Sequence, residues 1–455
     1  MSPHAARSLD EFRGRLSLSP VAEIIAESLD AGHGSRGLGV FLALAERADL
    51  SVPGSGSLAG VPVAVKDNLD THDFPTTGGT PALASSRPGR DHHAVARLRA
   101  AGAVVIGKTN LHELALGITS NNAAFGPVRN PHDPSRSAGG SSGGSAVAVA
   151  TGIVPIALGT DTGGSVRVPA AHCGVVGWRP TVGRWGTGRG VPISRTRDTA
   201  GVLAATVGDA VLVDEVVTGE PAAPVPRHLR IGVSRPGFWD DLHPEVAEAM
   251  ERALDDLANG GVELVETAVA DAHALDAECG FPIVFHEIAQ DLPAYLATLP
   301  GPERELTFAD VLDRTASPDV RAALEVAASG TVTEDVYRQA LATREQLRAA
   351  YRAALDHPDG PIDALVYPTV PMPAPPLGDD ETTEHNGRQV PTFLTNIRNT
   401  GPGSTAGMPA ISLPVATTST GLPIGLSIEA APHGDARLLA VSRAAERVLT
   451  GSPAR

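Results

Sequence analysis

The chain has 455 residues, 42% of them hydrophobic and 19% charged, with 36 basic and 52 acidic side chains and a formal net charge of −16. That length buries a large core, while the acidic balance excludes nucleic acid and an anionic membrane as main partners, because both need a cationic footprint. Two cysteines, Cys173 and Cys279, exclude a disulfide framework and a zinc quartet and read as small buried side chains in a reducing compartment.

The N-terminus carries no basic-then-apolar leader, and no apolar run approaches the roughly 18 residues of a membrane span, so a cytoplasmic location is expected. Residues 8–31 place Leu9, Phe12, Leu16, then Val21, Ile24, Ile25 and Leu29 at helical spacing, which predicts two short amphipathic helices. A Ser/Gly/Pro-rich loop at 51–60 leads into the apolar run 61–65, a short buried strand ending at Lys66. Next come a helix at 91–101, a strand at 104–106, a short helix at 111–116 and an irregular stretch at 122–142. Residues 144–151 (GSAVAVAT) predict a helix of small residues, buried among close neighbours. A strand at 155–159 and a helix beginning at 165–172 follow. This alternation predicts an α/β protein with a mixed or parallel sheet covered by helices.

A Pro-rich connector occupies 220–227. Beyond it the spacing predicts helices at 243–258, 280–297, 318–328 and 333–355, strands at 363–368, 410–415 and 422–428, and a terminal amphipathic helix at 435–449. The expected organisation is one domain over 1–455. It has N-terminal helices within 1–50, a core at about 55–218, a helical insertion at about 235–355 and the rest of the core at about 360–450.

The densest chemical signal lies at 136–181, where GGSSGG (139–144) and DTGGS (161–165) flank a helix and a strand. Taken singly, either cluster reads as a tight turn. A phosphate loop fails because no Gly-Lys-Ser/Thr follows. Residues 139–143 formally satisfy G-x-S-x-G, but a nucleophile elbow needs a strand immediately before it, and 130–137 is loop. Taken together with Lys66, the clusters admit another chemistry. A serine attacks only after a base takes its proton, and a desolvated lysine serves once it is uncharged. A lone Lys-Asp step after a strand is otherwise an ordinary surface ion pair.

These segments carry a resemblance. GVPVAVKDN (60–68), GKTNLHELALG (107–117), the run from GGSSGG through GWRPT (139–181), SRTRDTAG (194–201), NTGPGSTAGMPAISLPV (399–415) and GLPIGLSIE (421–429) resemble the amidase signature family. The resemblance implies a central mixed β-sheet covered by helices on both faces, with a helical insertion. It implies an amidohydrolase that cleaves a small carboxylic amide to acid and ammonia, without metal or cofactor. By position it makes Lys66 the base, Ser141 the bridging serine, held by a cis Gly140–Ser141 peptide, and Ser165 the nucleophile that forms an acyl-enzyme. Backbone N–H groups at Thr162, Gly163, Gly164 and Ser165 then stabilise the oxyanion. Ser142, Asp161 and Arg167 are expected to fix the loops.

The runs HELALGITS, VPISRTRDTAG and RNTGPGSTAGMP resemble the members that act on arylacetic-type amides such as indoleacetamide and mandelamide. Other small-amide, aryl-amide or peptide amidases of the family, and the glutamyl-tRNA amidotransferase A subunit, are the alternatives, as is a non-catalytic binding relative. A small-molecule amide is the expected partner, and a homodimer is left open. The pocket is expected from 116–122 and from the helical insertion. Elsewhere, His92 and His93 read as a solvated helix start, and 378–385 as a solvated acidic loop. His112-Glu113 is no zinc motif, since Leu116 stands where the second histidine belongs. Trp178 and Trp185 either line a pocket or pack.

Overall fold

The structure, a computed structural model, describes residues 6–16, 19–46 and 55–451. The first part of the loop expected at 51–60 lies outside them. Two N-terminal helices, α1 (Leu9–Leu16) and α2 (Val21–Gly34), form where the apolar spacing placed them.

Eleven strands then build one mixed sheet. The N-terminal half supplies β1 (Phe41–Leu44), β2 (Pro62–Lys66), β3 (Val104–Thr109), β4 (Ile156–Asp161), β5 (Val176–Arg179) and β6 (Thr199–Ala204). The C-terminal half supplies β7 (Arg230–Ser234), β8 (Glu263–Thr267), β9 (Ala364–Pro368), β10 (Ala410–Thr417) and β11 (Pro423–Glu429). Their order is β1-β3-β2-β4-β6-β5-β10-β11-β9-β7-β8, so the two halves join where β5 pairs antiparallel with β10. Strands β2 and β4 are parallel neighbours. They end at Lys66 and Asp161, which places both residues at the carboxyl edge of the sheet, where open α/β sheets hold their ligands.

Every residue of β2, β3 and β6 is buried, with no alternation, as strands covered on both faces require. One helical layer contains α3 (His93–Ala100), α6 (Val207–Thr218), α7 (Pro244–Asn259) and α14 (Asp435–Leu449). Another contains α4 (Gly143–Ala150), α5 (Arg167–Cys173), α8 (Ala272–Leu296), α11 (Glu334–Leu355) and α13 (Gly401–Ala406). Helix α4 is buried at every position. Its small residues are needed there: a β-carbon on Gly144 would stand 2.5 Å from the Asn110 carbonyl and 2.6 Å from that of Val40.

Three local expectations change. Strands β1, β5, β6 and β7 appear where no strand was expected, because short apolar runs without alternation carry no period. The segment 235–355 is not purely helical, since Glu263–Thr267 adds β8 at the sheet edge, parallel to β7. The helix expected at 111–116 shrinks to a 3-10 turn, Glu113–Ala115, in which Leu114 and Ala115 take positive φ.

Candidate active site

Lys66 is fully buried, and its Nζ lies 2.7 Å from Ser141 Oγ and 2.8 Å from Thr160 Oγ1. The Thr160 hydroxyl also accepts from Asn68 Nδ2 at 3.0 Å. The next residue, Asp67, does not pair with Lys66 but turns to the buried Lys108, 3.2 Å away. No carboxylate among the described residues therefore touches the Lys66 amine. Burial lowers its pKa to about 7, against the smaller opposing pull of Asp161 and Asp198. A neutral amine that donates to Thr160 keeps its lone pair for the Ser141 proton.

Ser141 follows a cis Gly140–Ser141 peptide bond, as the resemblance implied. Its carbonyl accepts from His112 N–H at 3.2 Å. Ser142 ties the two serine clusters together: its N–H donates to the Ser165 carbonyl at 3.1 Å and its hydroxyl donates to the Thr160 carbonyl at 3.1 Å. Among the described residues, the hydroxyls of Ser141 and Ser165 make no hydrogen bond to each other.

The loop 162–165 is held from beneath by Asp161, whose carboxylate is fully enclosed. Arg167 reaches it with Nε and Nη2, each at 3.1 Å, and Arg179 Nη1 lies 3.1 Å from Oδ1. Burial pushes this carboxyl up, but Arg167 and Arg179 overcome it and hold the pKa well below the usual range. Asp161 also accepts from the N–H groups of Gly164 (2.8 Å) and Val166 (3.2 Å). The Gly164 amide is thus committed inward, and the oxyanion-donor role expected of it does not fit this geometry. The amides of Gly163 and Ser165 make no hydrogen bond among the described residues. Gly164 itself has φ +138°, and a β-carbon there would stand 2.2 Å from Thr400 Oγ1. Two outer clamps complete the loop: Thr162 Oγ1 donates to Asp198 at 2.6 Å, and Thr400 Oγ1 donates to the Gly163 carbonyl at 2.7 Å.

A cavity of about 400 Å³ opens over Ser165, Gly163 and Thr162. Leu116 and Ile118 line it, as do α8 and Asp319 of α10 (Pro318–Ala328), in agreement with the expected pocket segments. Phe281 stacks on Phe285 with ring centroids 5.8 Å apart and meets Phe393 at 6.1 Å. Phe393 belongs to α12 (Thr392–Ile397), which no sequence signal pointed to.

Other expectations divide. His92 is buried and not solvated: its Nδ1 caps α3 by accepting from Ala94 N–H at 3.1 Å, and burial lowers its pKa to about 4. Asp380, in the stretch expected to be solvated, lines the cavity. Trp178 and Trp185 pack against each other edge-on at 5.1 Å, away from the cavity. Cys173 and Cys279 are free and buried. Glu113 accepts from Ala316 and Ser317 N–H groups and docks the start of α10.

A buried amine beside a serine hydroxyl, under a cavity and at the carboxyl edge of a mixed sheet, is an arrangement that can carry a proton to and from a serine oxygen. Comparison with known proteins sharpens this reading. The model of the family described as Amidase matches residues 40–439, and the chain belongs to that family. It is 42% identical to an indoleacetamide hydrolase of Agrobacterium vitis, over 86% of this chain and 84% of that protein. It is 38% identical to a mandelamide hydrolase of Pseudomonas putida, over 87% and 80%. A crystal structure described as an amidase superposes with a TM-score of 0.85 at 35% identity, covering 97% of this chain and 99% of that one. The fold is that of the amidases, and the protein is an amide-hydrolysing enzyme. No helix among the described residues is long and apolar enough to cross a membrane.

Proposed function

We propose that the enzyme hydrolyses primary amides of arylacetic-type acids, indoleacetamide- or mandelamide-like, through a Ser165 acyl-enzyme with Lys66 and Ser141 as its proton relay. The observation that carries the relay is the buried, carboxylate-free Lys66 amine 2.7 Å from Ser141 Oγ. Ser165 Oγ attacks the amide carbonyl and passes its proton to Ser141, while Ser141 passes its own to Lys66. The oxyanion takes hydrogen bonds from the unoccupied amides of Gly163 and Ser165, and the Thr162 side chain, held by Asp198, fixes the loop's entry. The relay then runs backwards and delivers the proton to the nitrogen, which leaves as ammonia. A water molecule attacks the ester by the same relay and releases the acid.

The aryl preference is supported by the Phe281, Phe285 and Phe393 wall and by the two named relatives. A cytoplasmic location is supported by two buried, unpaired cysteines. The test is ammonia release by the purified chain alone from indoleacetamide, mandelamide, phenylacetamide, benzamide, aliphatic amides and glutamine. Turnover of arylacetamides ahead of the others is expected. Activity confined to glutamine, or dependent on a second subunit, contradicts the proposal.

A further inference from the structure

The cavity is apolar along its aromatic wall, but two opposite charges stand where it meets the nucleophile loop. Arg197 is only 5% exposed. Its Nη1 donates to the Gly280 carbonyl at 2.7 Å, and its Nε is enclosed without a partner. Its Nη2 makes no hydrogen bond among the described residues, and the side chain borders the cavity. A β-carbon on Gly163 would lie 3.8 Å from that Nη2, so the guanidinium stands against the loop that carries Ser165. Asp276, one turn before Gly280 on α8, borders the same space. Thr405 donates to its Oδ1, whereas its Oδ2 has no hydrogen-bond partner among the described residues.

These two charges bracket Gly280. A β-carbon there would stand 2.7 Å from Asp276 Oδ1 and 3.3 Å from Arg197 Nη1, yet no ion pair within 4.0 Å joins the side chains. Arg197 Nη2 and Asp276 Oδ2 are each left without a hydrogen-bond partner among the described residues, and both side chains border the cavity, so a group seated there can bridge them. The bridging group must accept from Arg197 and donate to Asp276. A carboxylate is repelled by Asp276 and an ammonium by Arg197; a hydroxyl satisfies both. The contact with Gly163 places that hydroxyl beside the loop that carries Ser165.

We infer that Arg197 and Asp276 form a subsite for a hydroxyl on the carbon next to the scissile carbonyl, which makes 2-hydroxy arylacetamides the preferred substrates. This rests on the arylacetamide reading and narrows it. The experiment compares kcat/KM for mandelamide and phenylacetamide in the native enzyme and in Arg197→Met, Asp276→Asn and Gly280→Ala. The native enzyme is expected to favour mandelamide by roughly tenfold or more, the worth of a hydrogen bond to a charged group. That ratio is expected to fall towards one in Arg197→Met and Asp276→Asn. Gly280→Ala puts a better helix former into α8 and wedges a methyl group between the two charges, so it should lower the ratio without unfolding the protein. A native ratio near one, or a ratio unmoved in all three variants while phenylacetamide is still cleaved, overturns the subsite and leaves the arylacetamide reading standing. Failure to cleave either arylamide while aliphatic amides are cleaved overturns both.

Discussion

The Asp161 carboxylate accepts the Gly164 N–H at 2.8 Å, and this bond decides which amides of the loop 162–165 remain free. The same carboxylate is gripped by Arg167 and Arg179 out of reach of solvent. The loop is therefore positioned by an enclosed ionic network. Asp161→Asn should leave two buried guanidiniums short of their counter-charge and cost about 3–5 kcal/mol of stability, read by denaturant unfolding at neutral pH. Because the folded carboxyl titrates below the unfolded one, the native contribution is complete above the ordinary carboxylate range and fades on acidification below it. The gap between native protein and variant should narrow accordingly in strong acid.

Ser165→Ala should abolish ammonia release and Lys66→Ala should come close to doing so, with Ser141→Ala severely but less completely impaired. A fluorophosphonate probe should label Ser165 in the native enzyme, mapped by peptide mass spectrometry. Labelling at another residue, or near-normal turnover by Ser165→Ala, contradicts the assigned nucleophile.

The pH profile has a definite sign. With the Lys66 pKa lowered to about 7, the amine is neutral above that pH, so kcat/KM should rise with pH and level off above neutrality. Between about 7 and the 10.5 of an ordinary lysine the unfolded chain holds a proton that the folded one does not, so this residue's penalty on stability should relax as pH rises through that window. Lys66→Arg stays charged and should be inactive across the whole range. An acid-side optimum contradicts a neutral lysine base.

The two loop glycines should respond differently to a methyl group. Gly164→Ala forces a side chain into positive φ and onto Thr400 Oγ1, so activity and thermal stability should both fall. Gly163→Ala meets nothing closer than 3.8 Å, so the melting temperature should hold while KM rises from crowding beside the nucleophile. Equal melting losses in the two variants contradict this account.

Phe281→Ala removes the ring that meets both Phe285 and Phe393. Its kcat/KM should drop about tenfold for phenylacetamide, the upper end of an aromatic pair's worth, and change little for a short aliphatic amide. Parallel losses on both substrates would place the aryl group elsewhere.

The proposed reacting groups are legible only in combination: singly, the two glycine clusters read as tight turns and Lys66-Asp67 as a surface ion pair, and the family resemblance is what joins Lys66, Ser141 and Ser165. The strands at 62–66, 104–109 and 156–161 stand out through their own apolar runs. What stays illegible is set by distant partners. Nothing around Asp67 shows that it turns to Lys108, which is what leaves Lys66 without a counter-charge. Gly164 reads as one of four amides facing the oxyanion, and nothing near it in sequence shows that its N–H is held by Asp161 beneath the loop. Arg197, Asp276 and Phe393 come from three separate stretches and meet only in the cavity.

The anchors of the nucleophile loop also have an order in time. Lys66, Ser141 and Ser165 all lie in the first 165 residues, yet Arg167 is braced by the Thr400 carbonyl and the Ser404 hydroxyl, and Gly163 by the Thr400 side chain. A ribosome emits the chain from its N-terminus, so the reactive hydroxyl emerges long before the residues that set its surroundings. Until position 404 has left the exit tunnel, the nascent polypeptide carries every proposed reacting group but lacks the braces on its loop. A product of premature termination at any point before Thr400 is expected to be inert.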